Sequence, residues 1–120
     1  MTPPELEALA NLWIDAFSTH DVAALLSLYA LDAVHVSPKL RAAQPETGGL
    51  LRGHAALAAW WSAAFAKSPS LRYKATRLTP GSSHIFIEYT RTVLGEPATD
   101  VAELLETNGL LIVRSRVFHG

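Results

Sequence analysis

The stretch that decides the fold is VAELLETNGLLIVRSRVFHG, residues 101–120. Two apolar-rich runs meet in it at Asn108-Gly109, a dipeptide that is the strongest short-range signal for a two-residue hairpin turn. A turn of that length fixes which residues of the two strands face each other. The predicted register pairs Thr107 with Leu110, Leu105 with Ile112, and Glu103 with Arg114.

The two faces of this predicted hairpin differ in charge. Side chains alternate across a strand, so each residue can be assigned to one face. Both faces are apolar enough to be covered, but only one brings a Glu and two Arg together. That face carries Val101, Glu103, Leu105, Ile112, Arg114, Arg116 and Phe118, and the opposite face carries Ala102, Leu104, Glu106, Leu111, Val113, Ser115 and Val117.

Composition limits the classes of function. The chain of 120 residues has the length of one domain, residues 1–120, and its hydrophobic fraction of 49% is typical of a compact core. Ten basic and eleven acidic residues give a net charge of −1, which argues against nucleic-acid binding. There is no cysteine, the N-terminal residues lack a basic signal region, and no apolar run approaches the length of a membrane span. We therefore expect a cytoplasmic protein.

The first half of the chain predicts helices. Thr2 and Glu5 have capping-box spacing, and Leu6, Leu9, Trp13 and Phe17 follow at helical spacing to about Ser18. Asp21 is suited to cap a second helix that continues to Tyr29. A third, Ala-rich helix is predicted over residues 54–67.

The remaining segments predict strands and one long loop. Residues 33–37 are β-branched and end before Pro38, which favours a short strand, and residues 39–53 read as a loop. Strands follow over residues 71–79 and 83–94, and then the terminal hairpin. The order ααβαββββ, with helices early and antiparallel strands late, predicts an α+β domain with helices on one face of a curved sheet.

Several segments resemble one superfamily. They are residues 16–38 (AFSTHDVAALLSLYALDAVHVSP), the Gly53-His54 start of a Trp-rich helix, and the closing RSRVFHG. Together they resemble the nuclear transport factor 2-like superfamily and, within it, the SnoaL-like polyketide cyclase and ketosteroid isomerase group. The resemblance covers nearly the whole chain. It implies a cone-shaped, cystatin-like fold, in which a bent sheet wraps a helix and leaves a cavity at the wide end.

The resemblance also implies positions for site residues. The aromatic donor of the isomerase pattern falls on Trp13, and the catalytic Asp falls on Ser37, which cannot act as that base. The acid of the next-to-last strand falls on Glu103. Cavity-lining positions of the last strand fall on Arg114, Arg116 and Phe118. The usual isomerase chemistry is therefore not implied for this chain.

Two readings of Glu103 and Arg114 stay open. Spacing alone favours an exposed cross-strand ion pair, whereas the resemblance implies that the pair points into the cavity, with Arg116 beside it in an anion-attracting site. In the second reading Arg114 and Arg116 lower the pKa of Glu103 and keep its carboxylate ionised. Glu103 would then hold Arg114 in position.

His35 is the best candidate base, because it lies one alternation from Ser37 and imidazole titrates near neutral pH. The alternative is a hydrogen-bonded core histidine, and the sequence does not choose between His35 and Glu103 as the proton-transfer group. Tyr89 is a candidate donor or, alternatively, a half-buried sheet aromatic. The resemblance turns the strand face that carries Ile87, Tyr89 and Arg91 into the cavity, and it makes Trp61 a lining residue.

Two functional hypotheses follow. The first is a cofactor-free isomerase, cyclase or lyase that performs acid–base chemistry on a hydrophobic carbonyl compound, with Arg116, Tyr89 and Trp13 as donors. The second is a non-catalytic module that binds a small ligand, or a dimeric accessory module of the same fold. No metal-ligand spacing, nucleotide loop or dinucleotide motif occurs, so we expect no metal and no cofactor. The second apolar face of the hairpin predicts a homodimer through the sheet.

Overall fold

Residues 1–119 are described by a computed structural model, and Gly120, the last residue of the terminal stretch, lies outside the described residues. The chain begins with α1 (Pro3–Ser18), which the sequence predicts correctly. Thr2 is its N-cap: the Thr2 side chain accepts a hydrogen bond from the Glu5 backbone N–H, and the Glu5 side chain accepts one from the Thr2 backbone. The helix α2 (Val22–Leu28) is capped by Asp21 as predicted, but Tyr29 already belongs to the first strand.

The prediction of a long loop over residues 39–53 is wrong. This segment forms α3 (Pro38–Ala43), a single 3₁₀ turn (Pro45–Thr47) and the short strand β2 (Leu50–Arg52). The Ser37 hydroxyl caps α3 by accepting a hydrogen bond from the Leu40 N–H, and the side chain of Leu40 is fully buried. One cap, a Pro in the first turn and a single buried leucine are enough here, because the segment continues into β2, which pairs with the strand Tyr29–Val36.

The helix α4 (His54–Lys67) has the predicted bounds. Its buried residues Leu57, Trp61 and Phe65 recur every four residues, so one stripe of the helix faces the core. Phe17 of α1 packs edge-on against both Trp61 and Phe65, which joins the two helices over the sheet.

The sheet has six strands in the order β2-β1-β6-β5-β4-β3. Neighbouring strands are antiparallel except for β1 and β6, which run parallel. Bulges interrupt three of the strand pairs, and bulges bend and twist a sheet. The α+β class with helices against a curled sheet is therefore confirmed. The remaining strands are β1 (Tyr29–Val36), β3 (Arg72–Pro80), β4 (His84–Thr92), β5 (Thr99–Thr107) and β6 (Ile112–His119).

The predicted register of the terminal hairpin is wrong by three residues. Residues 108–111 form a wider loop, in which the Asn108 carboxamide oxygen accepts hydrogen bonds from the Leu110 and Leu111 amides, so Thr107 pairs with Ile112. A bulge at Val113 then adds one more residue to β6. Since an odd shift exchanges the two faces of a strand, β6 is turned over relative to the prediction. Glu103 therefore pairs with Val117, and Arg114 pairs with Glu106.

Among the described residues, no helix is long and apolar enough to cross a membrane.

Candidate functional site

A cavity of about 700 Å³ lies between the concave face of the sheet, α4 and α3. Most of its lining is apolar or aromatic, contributed by Phe17, Trp60, Trp61, Leu71, Val101 and Val117. Six of the residues predicted for the site line it: His35, Ser37, Trp61, Tyr89, Arg91 and Glu103.

A row of buried polar side chains crosses four successive strands at the cavity. In the order of the sheet these are His35 on β1, Ser115 on β6, Glu103 on β5 and Tyr89 on β4. The parallel pairing of β1 with β6 sets His35 opposite Ser115, residues that are 80 positions apart in the chain. Three of the four residues line the cavity, whereas Ser115 lies behind His35 with no exposure to solvent.

The carboxyl group of Glu103 is buried without a cation. Its side chain is 2% exposed, and Oε1 accepts a hydrogen bond from the Tyr89 hydroxyl at 3.2 Å. Oε2 is buried and has no hydrogen-bond partner within residues 1–119. Burial raises the pKa of Glu103 to about 8, and the Tyr89 hydrogen bond opposes this rise only partly. The carboxyl group is therefore mainly protonated at neutral pH.

The predicted partnership of Glu103 with two arginines is thus wrong. The corrected register turns Arg114 and Arg116 to the outer face of the sheet, where both are exposed. There Arg114 lies 3.7 Å from Glu106, and the Arg116 guanidinium lies over the ring of Phe118. The expected lowering of the Glu103 pKa has no physical source, because the cations that would cause it lie on the other face.

Tyr89 connects Glu103 to an aromatic cluster. The Tyr89 ring packs 4.3 Å from Tyr73 and edge-on to Trp13, measured between ring centroids. Burial, followed by the nearby Glu103, raises the pKa of both Tyr89 and Tyr73, so both phenols stay protonated and can only donate or accept hydrogen bonds. Tyr73 also lines the cavity and was missed by the sequence analysis. In the observed pairing of β3 with β4, Tyr73 lies opposite Arg91 and Ala75 lies opposite Tyr89. Residues that lie opposite each other share a face of the sheet, so this register places Tyr73 on the cavity face.

His35 is a buried imidazole rather than an exposed base. Its side chain is 4% exposed, and Nδ1 lies 2.7 Å from the Ser115 hydroxyl oxygen. Burial lowers the pKa of His35 to about 4, well below the ordinary value that the sequence analysis assumed. The ring is therefore neutral over the physiological range, and one nitrogen donates while the other accepts.

Two residues predicted to line the site lie in the core instead. Trp13 has no exposed surface, does not line the cavity, and donates its indole N–H to the Tyr29 hydroxyl at 3.1 Å. Ile87 is also fully buried and absent from the lining. Phe118 follows Arg114 and Arg116 to the outer face, where its ring centroid lies 6.1 Å from that of Phe86. Each was placed in the cavity by the resemblance, and each is corrected by local packing or register.

Charged residues collect at the solvent-exposed end of the cavity. Arg91 on β4 was predicted as a lining residue and makes an ion pair with Glu96 at 3.4 Å. Lys39 on α3, Lys67 at the end of α4 and His119 on β6 also line the cavity and were missed. Lys39 lay in the segment predicted as a loop, and His119 was read only as a terminal residue and given no strand face. Neither residue could therefore be placed at the cavity before the helix α3 and the register of β6 were known. Among residues 1–119, no cluster of His, Asp or Glu is arranged to hold a metal ion.

Comparison with known proteins gives one family and many similar folds. The family model described as SnoaL-like domain matches residues 10–114. Among curated protein sequences, none matches the chain significantly.

Three solved structures are representative of the matches. A SnoaL-like protein of unknown function from Burkholderia thailandensis is 24% identical with a TM-score of 0.88, covering 100% of this chain and 98% of the other. A candidate polyketide cyclase from Sinorhizobium meliloti is 19% identical with a TM-score of 0.79, covering 98% and 100%. A candidate ketosteroid isomerase from Kribbella flavida is 19% identical with a TM-score of 0.75, covering 94% and 76%. At these identities the likeness shows the fold alone, and other matches are proteins of cystatin-like and nuclear transport factor 2-like fold.

Proposed function

The chain belongs to the SnoaL-like domain family, and from this premise we propose that it catalyses cofactor-free acid–base chemistry on a hydrophobic carbonyl compound. The reaction class is isomerisation, cyclisation or dehydration through an enol or enolate. The observation that carries the proposal is the buried carboxyl group of Glu103, which lines the cavity. Among the described residues it has no cation beside it, and its Oε2 has no hydrogen-bond partner.

Glu103 is the proposed donor to the substrate oxygen. Oε1 accepts from Tyr89, so the acid proton belongs on Oε2, the oxygen that has no protein partner. A buried donor without a partner costs free energy in the empty protein, and a substrate oxygen that accepts from it recovers that cost. The hydrogen bond strengthens as negative charge develops on the carbonyl oxygen, which is the requirement for stabilising an enolate.

His35 is the proposed base. With Nδ1–H donating to the Ser115 hydroxyl oxygen, Nε2 keeps a lone pair that is free to accept a proton. A pKa of about 4 makes His35 a weak base, but one that is unprotonated throughout the neutral range. Ser115 holds the orientation of the His35 ring through this contact, so it acts as a positioning residue.

The proton balance closes without a cofactor. His35 Nε2 takes a proton from the carbon next to the carbonyl group, the C–H electron pair forms the C=C bond, and the charge develops on the oxygen bound by Glu103. The imidazolium then returns the proton to another carbon in an isomerisation, or to a departing hydroxyl group in a dehydration. In a cyclisation the enolate carbon attacks a second carbonyl carbon of the same molecule. The electron pair of that C=O bond moves to its oxygen, which takes the proton back from the imidazolium.

A second candidate function is binding without turnover. It is favoured by Ser37, which stands where the family pattern has a catalytic Asp and whose hydroxyl is engaged in capping α3. In that case the aromatic walls and Glu103 would hold a carbonyl ligand, and His35 would serve packing only.

Two further expectations remain part of the proposal. The cytoplasmic location stays a prediction. The homodimer also stays a prediction, but its surface changes. The second apolar face was predicted to present Leu104, Leu111, Val113 and Val117. Val117 lines the cavity, Leu111 lies in the hairpin loop and Val113 is the bulge residue, so Leu104 alone of these four remains on the regular outer face. Phe86 and Phe118 join it there and make this outer face the proposed contact surface.

The experiment that tests the function is hydrogen exchange of carbon acids. A panel of cyclic and aromatic ketones is incubated with the protein in D₂O, and loss of the proton signal next to the carbonyl group is followed by NMR. We expect His35→Gln to lower the exchange rate by roughly 10²–10⁴ and Glu103→Leu by roughly 10²–10³. Arg116→Gln on the outer face is the control and should keep the wild-type rate.

The pH dependence adds a second readout. The rate should need a neutral His35 and a protonated Glu103, so it should fall below about pH 4 and above about pH 8. Ketones that bind without exchange at any pH would favour the binding module. Equal rates in the wild type, His35→Gln and Glu103→Leu would contradict the assigned roles.

A further inference from the structure

The open end of the cavity carries an excess of positive charge. Lys39, Lys67 and Arg91 converge on it from α3, α4 and β4. Within residues 1–119, Glu96 is the one carboxylate side chain that lines this end. His119 completes the set from β6. Three of the ten basic residues of a chain with net charge −1 therefore surround one opening, against one acidic side chain among the described lining residues at this end.

These groups are close enough to act on one another. The pKa of Lys39 is lowered by partial burial and then by the charge of Arg91, with Lys67 contributing in the same direction and Glu96 opposing it. The pKa of His119 is lowered by partial burial and then by Lys39 and Arg91. Like charges held together at an opening are unfavourable in the empty protein, and an anion bound among them relieves the repulsion.

The opposite end of the cavity has no such charge. Glu103 is buried there with Tyr89 as its partner and is mainly protonated at neutral pH. A ligand thus meets a neutral hydrogen-bond donor at the inner end, apolar and aromatic walls along its length, and two net positive charges at the outer end.

We propose that the substrate is an amphipathic keto acid, whose carbonyl group meets Glu103 and whose carboxylate binds among Lys39, Lys67 and Arg91. This inference rests on the proposed function, which it extends by naming the substrate class. Arg91 is suited to a bidentate hydrogen bond with a carboxylate, and the two lysines supply flexible point charges.

The sheet sets the spacing of the two groups. Glu103 pairs with Ile87, and Arg91 lies four residues further along β4. At about 3.3 Å per residue these positions are roughly 13 Å apart along the strand. Side chains reach toward the ligand from both ends, so the carbonyl oxygen and the carboxylate should be separated by on the order of 10 Å. A short keto acid such as pyruvate is therefore too short to reach Glu103 and the basic residues at the same time.

The test uses three probes of one size and binding measured by calorimetry. They are para-acetylphenylbutanoic acid, its primary carboxamide, and para-ethylphenylbutanoic acid, which lacks the carbonyl group. We expect the keto acid to bind the wild type about ten-fold more tightly than the carboxamide, and this preference to shrink at high salt because exposed charges are screened.

Two double variants test which residues cause the preference for the acid over the carboxamide. In the double variant Lys39→Gln, Lys67→Gln the preference for the acid over the carboxamide should fall to about two-fold or less. The matched control is Arg114→Gln, Arg116→Gln, which removes the same two charges from the outer face and should leave the preference unchanged. A keto acid that binds no more tightly than its carboxamide, including the case in which neither binds, overturns the proposal. So does an equal loss in both double variants.

The third probe separates this proposal from the proposed function. If Glu103 donates to a carbonyl oxygen, the acetyl acid should bind more tightly than the ethyl acid, and Glu103→Leu should abolish that difference. A charge preference that depends on the lysines without any carbonyl preference would support the anion site and count against the role of Glu103. A preference for the acetyl acid over the ethyl acid, without a preference for the acid over the carboxamide, would support the role of Glu103 and count against the anion site.

Discussion

At the scale of single residues, the protonation state of Glu103 depends on what surrounds it. One hydroxyl group donates to it, and neither of the two ion pairs found within residues 1–119 includes it. Burial, which that hydrogen bond opposes only partly, raises the pKa of Glu103 to about 8. Placing an arginine opposite this carboxyl group would reverse the direction of the shift. The identity of a side chain therefore did not decide its chemistry, because the neighbours that decide it come from the strand register.

The shifted pKa of Glu103 makes a prediction about stability. Between its ordinary value of 4.5 and the folded value of about 8, the folded chain holds a proton at Glu103 that the unfolded chain has lost. The contribution of Glu103 to the free energy of unfolding is thus fully present below about pH 4.5 and is lost as pH rises toward 8. The loss amounts to about 1.4 kcal/mol per pH unit over this range.

Urea unfolding at several pH values checks this prediction. The wild type should lose stability relative to Glu103→Gln as pH rises from 5 to about 8, because glutamine cannot ionise. Glu106→Gln is the matched control, since Glu106 lies on the same strand but is exposed on the outer face. The difference in free energy of unfolding between Glu106→Gln and the wild type should not change by more than about 0.5 kcal/mol over the same pH range. A constant difference for Glu103→Gln would show that this carboxyl group is not shifted upward.

At the scale of elements, what could be predicted depended on whether the signals were local. The capping box at Thr2 and Glu5 and the apolar stripes of α1 and α4 are read from neighbouring residues, and these helices have the predicted bounds. The helix α3 was missed because its single buried residue, Leu40, leaves no periodic pattern. The faces of β6 were exchanged because a wider loop and a bulge at Val113 shift the register, and neither is visible in the Asn-Gly signal.

Asn108 carries the hydrogen bonds that set the hairpin loop. Its side chain accepts from the amides of Leu110 and Leu111, at 3.0 and 2.9 Å. We expect Asn108→Ala to lower the free energy of unfolding by about 1 kcal/mol, because two loop amides lose their acceptor. Thermal or urea unfolding measures this directly.

Asn11→Ala is the control for that substitution. Asn11 is exposed on α1, where alanine is the better helix former, so this variant should be neutral or slightly stabilising. If Asn108→Ala is as stable as Asn11→Ala, the loop does not depend on the Asn108 side chain, and the origin of the register must be sought in the bulge.

At the scale of the whole molecule, the candidate site depends on strand order. The site depends on the parallel pairing of β1 with β6, which sets His35 beside Ser115. Glu103 and Tyr89 lie on the next two strands of the same sheet. The sequence allowed the α+β class and six of the lining residues to be predicted. It did not allow the cationic opening to be predicted, because Lys39, Lys67 and His119 come from three elements that meet only in the folded chain.

The outer face of the sheet predicts a dimer. Phe118 is 40% exposed there, beside Phe86 and Leu104. Sedimentation at micromolar concentration should give a dimer for the wild type, and Phe118→Glu should shift it toward the monomer by placing a charge in the contact.

Leu94→Glu is the matched control for the dimer. Leu94 is 88% exposed in the turn between β4 and β5, away from the outer face, so the variant should sediment like the wild type. A wild-type monomer, or an equal effect of both substitutions, would rule out this surface as the dimer contact.

The central claim is that Glu103 is a neutral carboxylic acid at neutral pH. The most direct measurement is the side-chain carboxyl ¹³C chemical shift of Glu103, followed by NMR against pH in glutamate-labelled protein and assigned with Glu103→Gln. The structure predicts a single titration of this signal with a pKa of about 8. A midpoint near the ordinary value of 4.5 would contradict the claim, and with it the role of Glu103 as hydrogen-bond donor to the substrate oxygen.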